Sequence, residues 1–210
     1  MARHSPFFMR EVTKTMDSID INRLAIELQT ERLTLRVPGE ADAASIERLI
    51  GDWDVAQMLG RVPHPYPEGG ALDWMAELRP KVADGKALIL GLVEKDRPEA
   101  GAIGCVGLEP RKGWDQLELG YWLGKPYWGR GYMTEAAKAL VDHSFGTMAL
   151  DRIGSGHLPE NLASRRVLTK LGFRDAGTEQ RWSRPRNCES TVTLMMLERQ
   201  DYLAAQDGSE

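Results

Sequence analysis

The sequence predicts an α/β (α+β) domain, a mixed and largely antiparallel sheet with helices on both faces. Three observations carry this. The hydrophobic pattern orders the chain as strand, two or three helices, three strands, helix, strand, helix and two strands, which is neither a strict βα alternation nor segregated blocks. The 210 residues, 42% of them hydrophobic, suffice for one substantial core without staples. Charged residues make up 28%, near the globular average, which excludes wholesale disorder.

The elements follow in order. Residues 1–26 carry no clean period and read as a loose extension, with a docking arm as the alternative. Residues 27–205 form one domain, and 206–210 are a tail. Leu33, Leu35 and Val37 alternate with Arg32, Thr34 and Arg36, a half-buried strand closed by Pro38-Gly39. Ala43, Ala44, Ile46, Leu49 and Ile50 recur at helical spacing, and a second helical piece covers Val55 to Leu59. Pro63, Pro65 and Pro67 cannot be helix interior, so that stretch is an extended loop. Ala71, Leu72, Trp74, Met75 and Leu78 make an amphipathic helix stopping before Pro80. Ala87–Val93, Ala102–Leu108 and Leu117–Leu123 are strands, the first two joined by a hairpin loop at Glu94–Glu99. In the third, Leu117, Leu119, Tyr121 and Leu123 share one face, and Glu118, Gly120 and Trp122 the other. Met133, Ala136, Ala137, Leu140, Val141, Ser144, Phe145 and Met148 trace a helical stripe. A short strand follows at Arg152–His157, then a helix over Asn161–Leu171 stopped by Gly172. Strands near Asp175–Ser183 and Ser190–Leu197 finish the core.

Composition narrows the function. A formal charge of −4 argues against nucleic-acid binding by bulk positive charge. Cys105 and Cys188 form no Cys-x-x-Cys, and His4, His64, His143 and His157 are scattered, so no metal site of the usual spacings is expected. The cysteines read as reduced, as in a cytoplasmic protein. No apolar run approaches the roughly 18 residues of a membrane span, and no apolar segment suggests secretion.

The most informative segment runs from Leu119-Gly120-Tyr121-Trp122-Leu123 to Trp128-Gly129-Arg130-Gly131-Tyr132-Met133-Thr134-Glu135-Ala136. A strand enters a glycine turn that opens a long helix. The first NH groups of that helix lack internal partners and, with the helix dipole, make an anion site. Gly129 and Gly131 remove side chains where an anion must meet backbone, and Arg130 adds positive charge. A tight turn is the plain alternative. No Gly-Lys-Ser/Thr and no third glycine follows, so neither a P-loop nor a dinucleotide fingerprint is present. Gly101, Gly104 and Gly107 fall within a strand and mark bulges or close packing.

This segment resembles the acyl-CoA-binding motif of the GNAT acetyltransferases. Asn161-Leu162-Ala163-Ser164-Arg165-Arg166-Val167-Leu168 with Lys170-Leu171-Gly172-Phe173 resembles the next family motif, and Thr30-Glu31-Arg32-Leu33-Thr34-Leu35-Arg36 the opening strand of the RimJ/RimL-like branch. The blocks stand in family order over roughly Leu28 to Leu203. The resemblance implies a sheet split between its fourth and fifth strands, with acetyl-CoA as cosubstrate entering the split. It implies that the pantetheine arm pairs with backbone near Tyr121, Trp122 and Leu123, that the pyrophosphate takes NH groups of Trp128, Gly129, Arg130, Gly131, Tyr132 and Met133, and that Asn161 and Ser164 lie near pantetheine or sulfur. One departure stands out: the position usually held by Gln or Arg, three before the first glycine, is Pro126. The branch also makes a homodimer plausible.

Acetyl transfer needs an amine that loses its proton, a polarised thioester and a thiolate that leaves. A backbone NH at Trp122 or Leu123 would polarise the carbonyl. Glu118, on the strand that lines the split, is the leading base; a solvated carboxylate is the alternative. The family's usual tyrosine acid is absent, because Leu168 holds its position. The branch suggests Ser164 instead, able to hydrogen-bond a departing thiolate. Asn161 reads equally as a helix N-cap. His157 reads as a partly exposed loop histidine rather than a base. Tyr66, Trp53 and Trp74 are candidates for an acceptor pocket, and Asp54, Glu68 and Asp73 for attracting a cationic amine. Cys105 reads as inert.

The reading is a direct, ternary-complex N-acetyltransferase acting on a primary amine, either a protein or peptide N-terminus or a small amine, with no metal, nucleic acid or membrane involved. The rivals are an acyl-CoA-binding sensor without turnover and a nucleotide-binding protein using the same glycine turn.

Overall fold

The computed structural model describes residues 27–207; the extension expected over 1–26 lies outside them. The strands are β1 (Leu28–Gln29), β2 (Leu33–Arg36), β3 (Leu88–Glu94), β4 (Gly104–Pro110), β5 (Leu117–Leu123), β6 (Arg152–His157), β7 (Arg174–Ser183) and β8 (Cys188–Glu198). They form one sheet in the order β1-β2-β3-β4-β5-β6-β8-β7. Every pairing is antiparallel except β5 with β6. The helices are α1 (Ala43–Ile50), α2 (Trp53–Ala56), α3 (Gly70–Ala83), α4 (Tyr132–Thr147), α5 (Leu162–Lys170) and α6 (Arg199–Asp207).

Helices cover both faces, as expected. On one face Met133, Ala136, Ala137, Leu140, Val141 and Phe145 of α4 bury against Leu33, Leu35, Leu90, Val106 and Leu119 of the sheet. Burying each large side chain there contributes about 1.5–3 kcal/mol, so the stripe, rather than helix propensity, holds α4 in place. On the other face Ile46 and Ile50 of α1, Val55 of α2 and Ala71 and Met75 of α3 close on Ala102. Asp42, fully buried, ties this layer to the sheet. Its carboxylate accepts from Arg36 Nη1 at 2.7 Å, Arg36 Nη2 at 3.0 Å, Gly39 N at 2.8 Å and Ala102 N at 2.9 Å. Burial alone would raise its pKa; the arginine and the two amides hold it below the ordinary range.

Some boundaries differ from expectation for physical reasons. α3 runs through Pro80 to Ala83, because Leu78 and Val82 bury beside Ala87 and hold the last turn despite the missing NH. The helical piece expected at Val55–Leu59 begins at Trp53, since Asp52 Oδ1 accepts Asp54 N at 2.9 Å as an N-cap. The expected tail begins inside a helix the periodicity did not reveal, α6, anchored by Tyr202, whose Oη donates to Asp142 Oδ1 at 2.7 Å. Gly104 and Gly107 are places of close packing: a Cβ on Gly104 would stand 2.4 Å from Trp122 O. Among the described residues no helix is long and apolar enough to cross a membrane, and no cluster of metal-ligating side chains is found.

Candidate active site

β5 pairs with β4 along its whole length, from Gly104↔Leu123 to Pro110↔Leu117. It pairs with β6 only from Leu117↔Ile153 to Leu119↔Ser155. At the end of that short ladder Ser155 Oγ donates to Leu119 O at 2.8 Å. β6 then stays with β8 as far as His157↔Thr193. Residues 120–123 of β5 therefore present an edge that no strand covers. Across the gap the register sets Gly120 opposite Gly156, and a Cβ on Gly120 would meet open space. This is the split the resemblance implied between the fourth and fifth long strands. Part of its edge is already used, because Trp128 Nε1 donates to Leu123 O at 2.7 Å.

Beyond the edge lies the glycine turn. Gly129 and Gly131 have φ of 75° and 81°, a left-handed backbone that glycine adopts without cost, and Gly131 is the N-cap of α4. Trp128, Gly129, Arg130 and Gly131 are exposed, Tyr132 is half-buried and Met133 is buried in the core. The turn is therefore open rather than packed under its own core. Arg32, which the motifs did not single out as a site residue, braces it. Its Nη1 donates to Arg130 O at 2.9 Å, and its guanidinium stacks 4.5 Å from the Tyr132 ring centroid. Glu135 accepts from Thr30 Oγ1 at 2.6 Å, Arg32 N at 2.9 Å and Arg32 Nε at 2.7 Å. Against the effect of burial, Thr30 and Arg32 hold the Glu135 carboxyl below its usual range. Tyr132 Oη donates to the buried Glu94 at 2.7 Å.

The start of α5 faces the split. Asn161 Oδ1 accepts Ser164 N at 3.0 Å, so Asn161 is the N-cap of this helix. Ser164 Oγ lies 2.8 Å from Tyr121 Oη, which also donates to Ser164 O at 3.1 Å. Burial pushes the Tyr121 hydroxyl above its ordinary range, with the Ser164 contact opposing, so the phenol stays protonated at neutral pH. Leu168, at the usual tyrosine position, is fully buried in the core. The structure thus brings a tyrosine to the serine from β5 rather than from α5.

On the opposite face Glu118 Oε1 accepts from Arg111 Nη1 at 3.1 Å and Arg181 Nη1 at 2.6 Å. Both arginines also contact Glu179, and Arg61 pairs with Glu109. The Trp114 ring lies against both arginines, its centroid 4.8 Å from the Arg111 guanidinium and 5.7 Å from that of Arg181. Glu118 is therefore not a freely solvated carboxylate. Burial pushes its pKa up, while Arg111 and Arg61 pull against it.

The remaining candidates scatter. Trp53, 43% exposed, lines an open cleft of about 420 Å³ with Gln57, Met58, Glu160, Pro185 and Arg186. Trp74 and Tyr66 are half-buried against the cluster of α1 and α3. Asp54 pairs with Lys125, and Glu68 and Asp73 are exposed. Burial drives the Cys105 thiol far up, which disfavours an acyl-cysteine route. His157 corrects the sequence expectation: it is the last residue of β6 and only 4% exposed.

Comparison with known proteins agrees with this geometry. The family model described as an acetyltransferase (GNAT) domain matches residues 32–174. The N-acetyltransferase p20 of Bacillus licheniformis is 28% identical over 176 residues, 83% of this chain and 97% of that protein. The [ribosomal protein uS5]-alanine N-acetyltransferase of Escherichia coli is 27% identical over 162 residues, 72% of this chain and 80% of that one. Among solved structures, the ribosomal-protein-S5-alanine acetyltransferase of Vibrio fischeri shares the fold with a TM-score of 0.70 at 23% identity, covering 84% of this chain and 98% of its own. Mycobacterium smegmatis RimJ, solved with CoA-disulfide, does so at 0.67 and 22%, covering 87% and 95%. With its split sheet, open glycine turn and matching family model, the chain belongs to the GNAT acetyltransferase family and is an acetyl-CoA-dependent N-acetyltransferase.

Proposed function

We propose that the pyrophosphate of acetyl-CoA sits on the amides of the Trp128–Met133 turn and that its arm runs along the free edge of β5 at Tyr121–Leu123, beside Asn161 and Ser164. The observation that carries this is the uncovered edge of residues 120–123, which points toward the open start of α4. Arg130 brings positive charge to the same turn, and Arg32, ion-paired with Glu135, braces the turn through Arg130 O. Glu118 takes the proton as the amine nitrogen attacks the thioester carbonyl. The carbon–sulfur electron pair leaves on sulfur, where the Ser164 hydroxyl, backed by Tyr121, hydrogen-bonds the thiolate. We propose a protein or peptide N-terminus as the acceptor, on the support of the uS5-alanine relative. A small amine is the other outcome of an acceptor screen with mass detection. The relatives bear acetyltransferase names, which gives the sensor alternative no support.

Steady-state kinetics tests the placement. Gly131→Asp puts a side chain and a negative charge where phosphate would bind, at a φ that disfavours any side chain. The acetyl-CoA KM should rise at least about tenfold, more than 1.4 kcal/mol of lost ground-state binding. An unchanged KM would remove the turn from the site. In the same assay Ser164→Ala and Tyr121→Phe should each lower kcat. Because the hydroxyls act as one pair, the double variant should be little worse than Ser164→Ala alone. Additive losses would separate Tyr121 from the chemistry.

A further inference from the structure

Two arginines join Glu118 and Glu179 into a closed ring of four charges. Arg111 Nη1 donates to Glu118 Oε1 at 3.1 Å, and Arg181 Nη1 donates to the same oxygen at 2.6 Å. On their other sides Arg111 Nη2 and Arg181 Nε both donate to Glu179 Oε1. Each guanidinium thus spends two nitrogens on bridging the two carboxylates, a use that its planar fork suits.

The ring makes the two oxygens of Glu118 unequal. Oε1 carries both arginines. Oε2 receives no hydrogen bond from the described residues, yet it is not among the sealed side-chain atoms that lack a partner, so it is open to solvent. The surroundings keep the ring in place. Glu179 and Arg181 stand two residues apart on β7 and share a face. The Trp114 ring lies against both guanidiniums, and β6 gives room with glycine: a Cβ on Gly156 would stand 3.2 Å from Arg181 Nη2. The other charges nearby are paired elsewhere. Glu109, opposite Glu118 on β4, takes Arg61 from the α2–α3 loop, and Arg152 of β6 takes Asp115.

We propose that Glu179 is a positioning residue for the transfer: by gripping Arg111 and Arg181 it keeps both on Glu118 Oε1, so that Oε2 is the oxygen that takes the amine proton. The proposal rests on Glu118 as the base, as given above. As the amine nitrogen bonds to the thioester carbon, its proton passes to Oε2 and the carbon–sulfur pair leaves on sulfur. With Glu179 the ring is neutral. Without it, two guanidiniums face one carboxylate, nothing holds them to a single oxygen, and the excess positive charge opposes an incoming ammonium.

The test reads pH profiles of the full chain with a saturating amine acceptor. Glu179→Gln keeps the size of the side chain and removes its charge. Burial raises the Glu118 pKa, Arg111 and Arg61 lower it, and Glu179 raises it. The acidic limb should therefore move to lower pH in Glu179→Gln and to higher pH in Arg111→Gln. A loss of structure alone would not move it in opposite directions. Above the limb, kcat of Glu179→Gln should fall about tenfold, a part of the roughly 10²–10⁴-fold that a placed base contributes. An unmoved limb or a wild-type kcat in Glu179→Gln overturns the inference and leaves Glu118 standing as base. Limbs that move the same way in both variants also overturn it, assigning the ring to the fold. Should Glu179→Gln not fold, Arg111→Gln decides: an upward shift supports the ring, and an unmoved limb overturns it. If Glu118→Gln keeps the wild-type limb, the base assignment fails and the inference with it.

Discussion

Glu118 is held between two arginines, yet its pKa moves up, and the balance has a kinetic consequence. Burial opposes the carboxylate, Arg111 and Arg61 favour it, and Glu179 nearby opposes it again. A base works only in its unprotonated form. Activity should therefore fall as pH drops through a value above the ordinary glutamate pKa of about 4.3. Glu118→Gln should lower kcat/KM about 10²-fold near neutral pH and abolish that acidic limb. A limb that survives the substitution would assign the proton to another group or to water. At this scale the sequence showed the residue but not its company. Glu118 lies seven residues from Arg111 and sixty-three from Arg181, and Arg181 reaches it from β7 across β8 and β6, past the side-chain-free Gly156. His157 was misjudged for the same reason. It is the last β6 residue to pair with β8, opposite Thr193, which no local pattern around Pro159 reveals. Arg32 lay in an already noted motif, but its reach to Arg130 spans ninety-eight residues.

Elements were legible where a single helix or strand stated its own period. α4 was readable because seven of its buried positions fall on one stripe and a glycine turn precedes it. α6 was not, because among its described residues only Tyr202 is buried and it follows β8 without a cap signal. The glycines of β6 show a further limit: composition marked them as small, but not what fills the space. A Cβ on Gly154 would stand 2.1 Å from Trp114 Cζ3, so the six-membered ring of the indole fills the space beside the strand backbone. That same ring packs against the guanidinium groups of Arg111 and Arg181. Gly154→Ala should destabilise by about 1–3 kcal/mol, the usual cost of overpacking. It should also lower turnover by displacing the arginines that hold Glu118. In a Trp114→Ala background the same substitution should cost little, and thermal melts of the four-member cycle would read the coupling. Equal cost in both backgrounds would mean that the strand, not the ring, resists the methyl group.

The whole molecule consists of two sheet halves, β1–β5 and β6–β8, whose strands meet in the sheet over three residue pairs. Other contacts bridge them at a distance from that ladder. Tyr121 meets Ser164, Tyr202 packs against Phe145 in a tilted ring pair with centroids 5.5 Å apart, and the β7–β8 turn touches the α2–α3 loop through Arg184 N to Gly60 O at 2.8 Å. The sequence announced strands and helices but not where the β5–β6 pairing would stop, because that depends on how two strands distant in sequence diverge within the sheet. The split was accordingly visible only through family resemblance. Its thermodynamic signature is open to measurement. A ligand that binds the native state alone, present at a hundredfold its Kd, adds about 2.7 kcal/mol of stability and slows exchange through global opening roughly a hundredfold. Protection beyond that uniform effect should concentrate where amides gain partners: residues 120–123 on the β5 edge and 129–133 at the start of α4. β2 and β3, already paired on both sides, should follow the global change alone. Hydrogen exchange with and without CoA distinguishes the cases. Excess protection confined to the β7–β8 hairpin, with none at 120–123, would move the arm out of the split. Protection of both segments together requires one ligand to span edge and turn, as the geometry of the two halves demands.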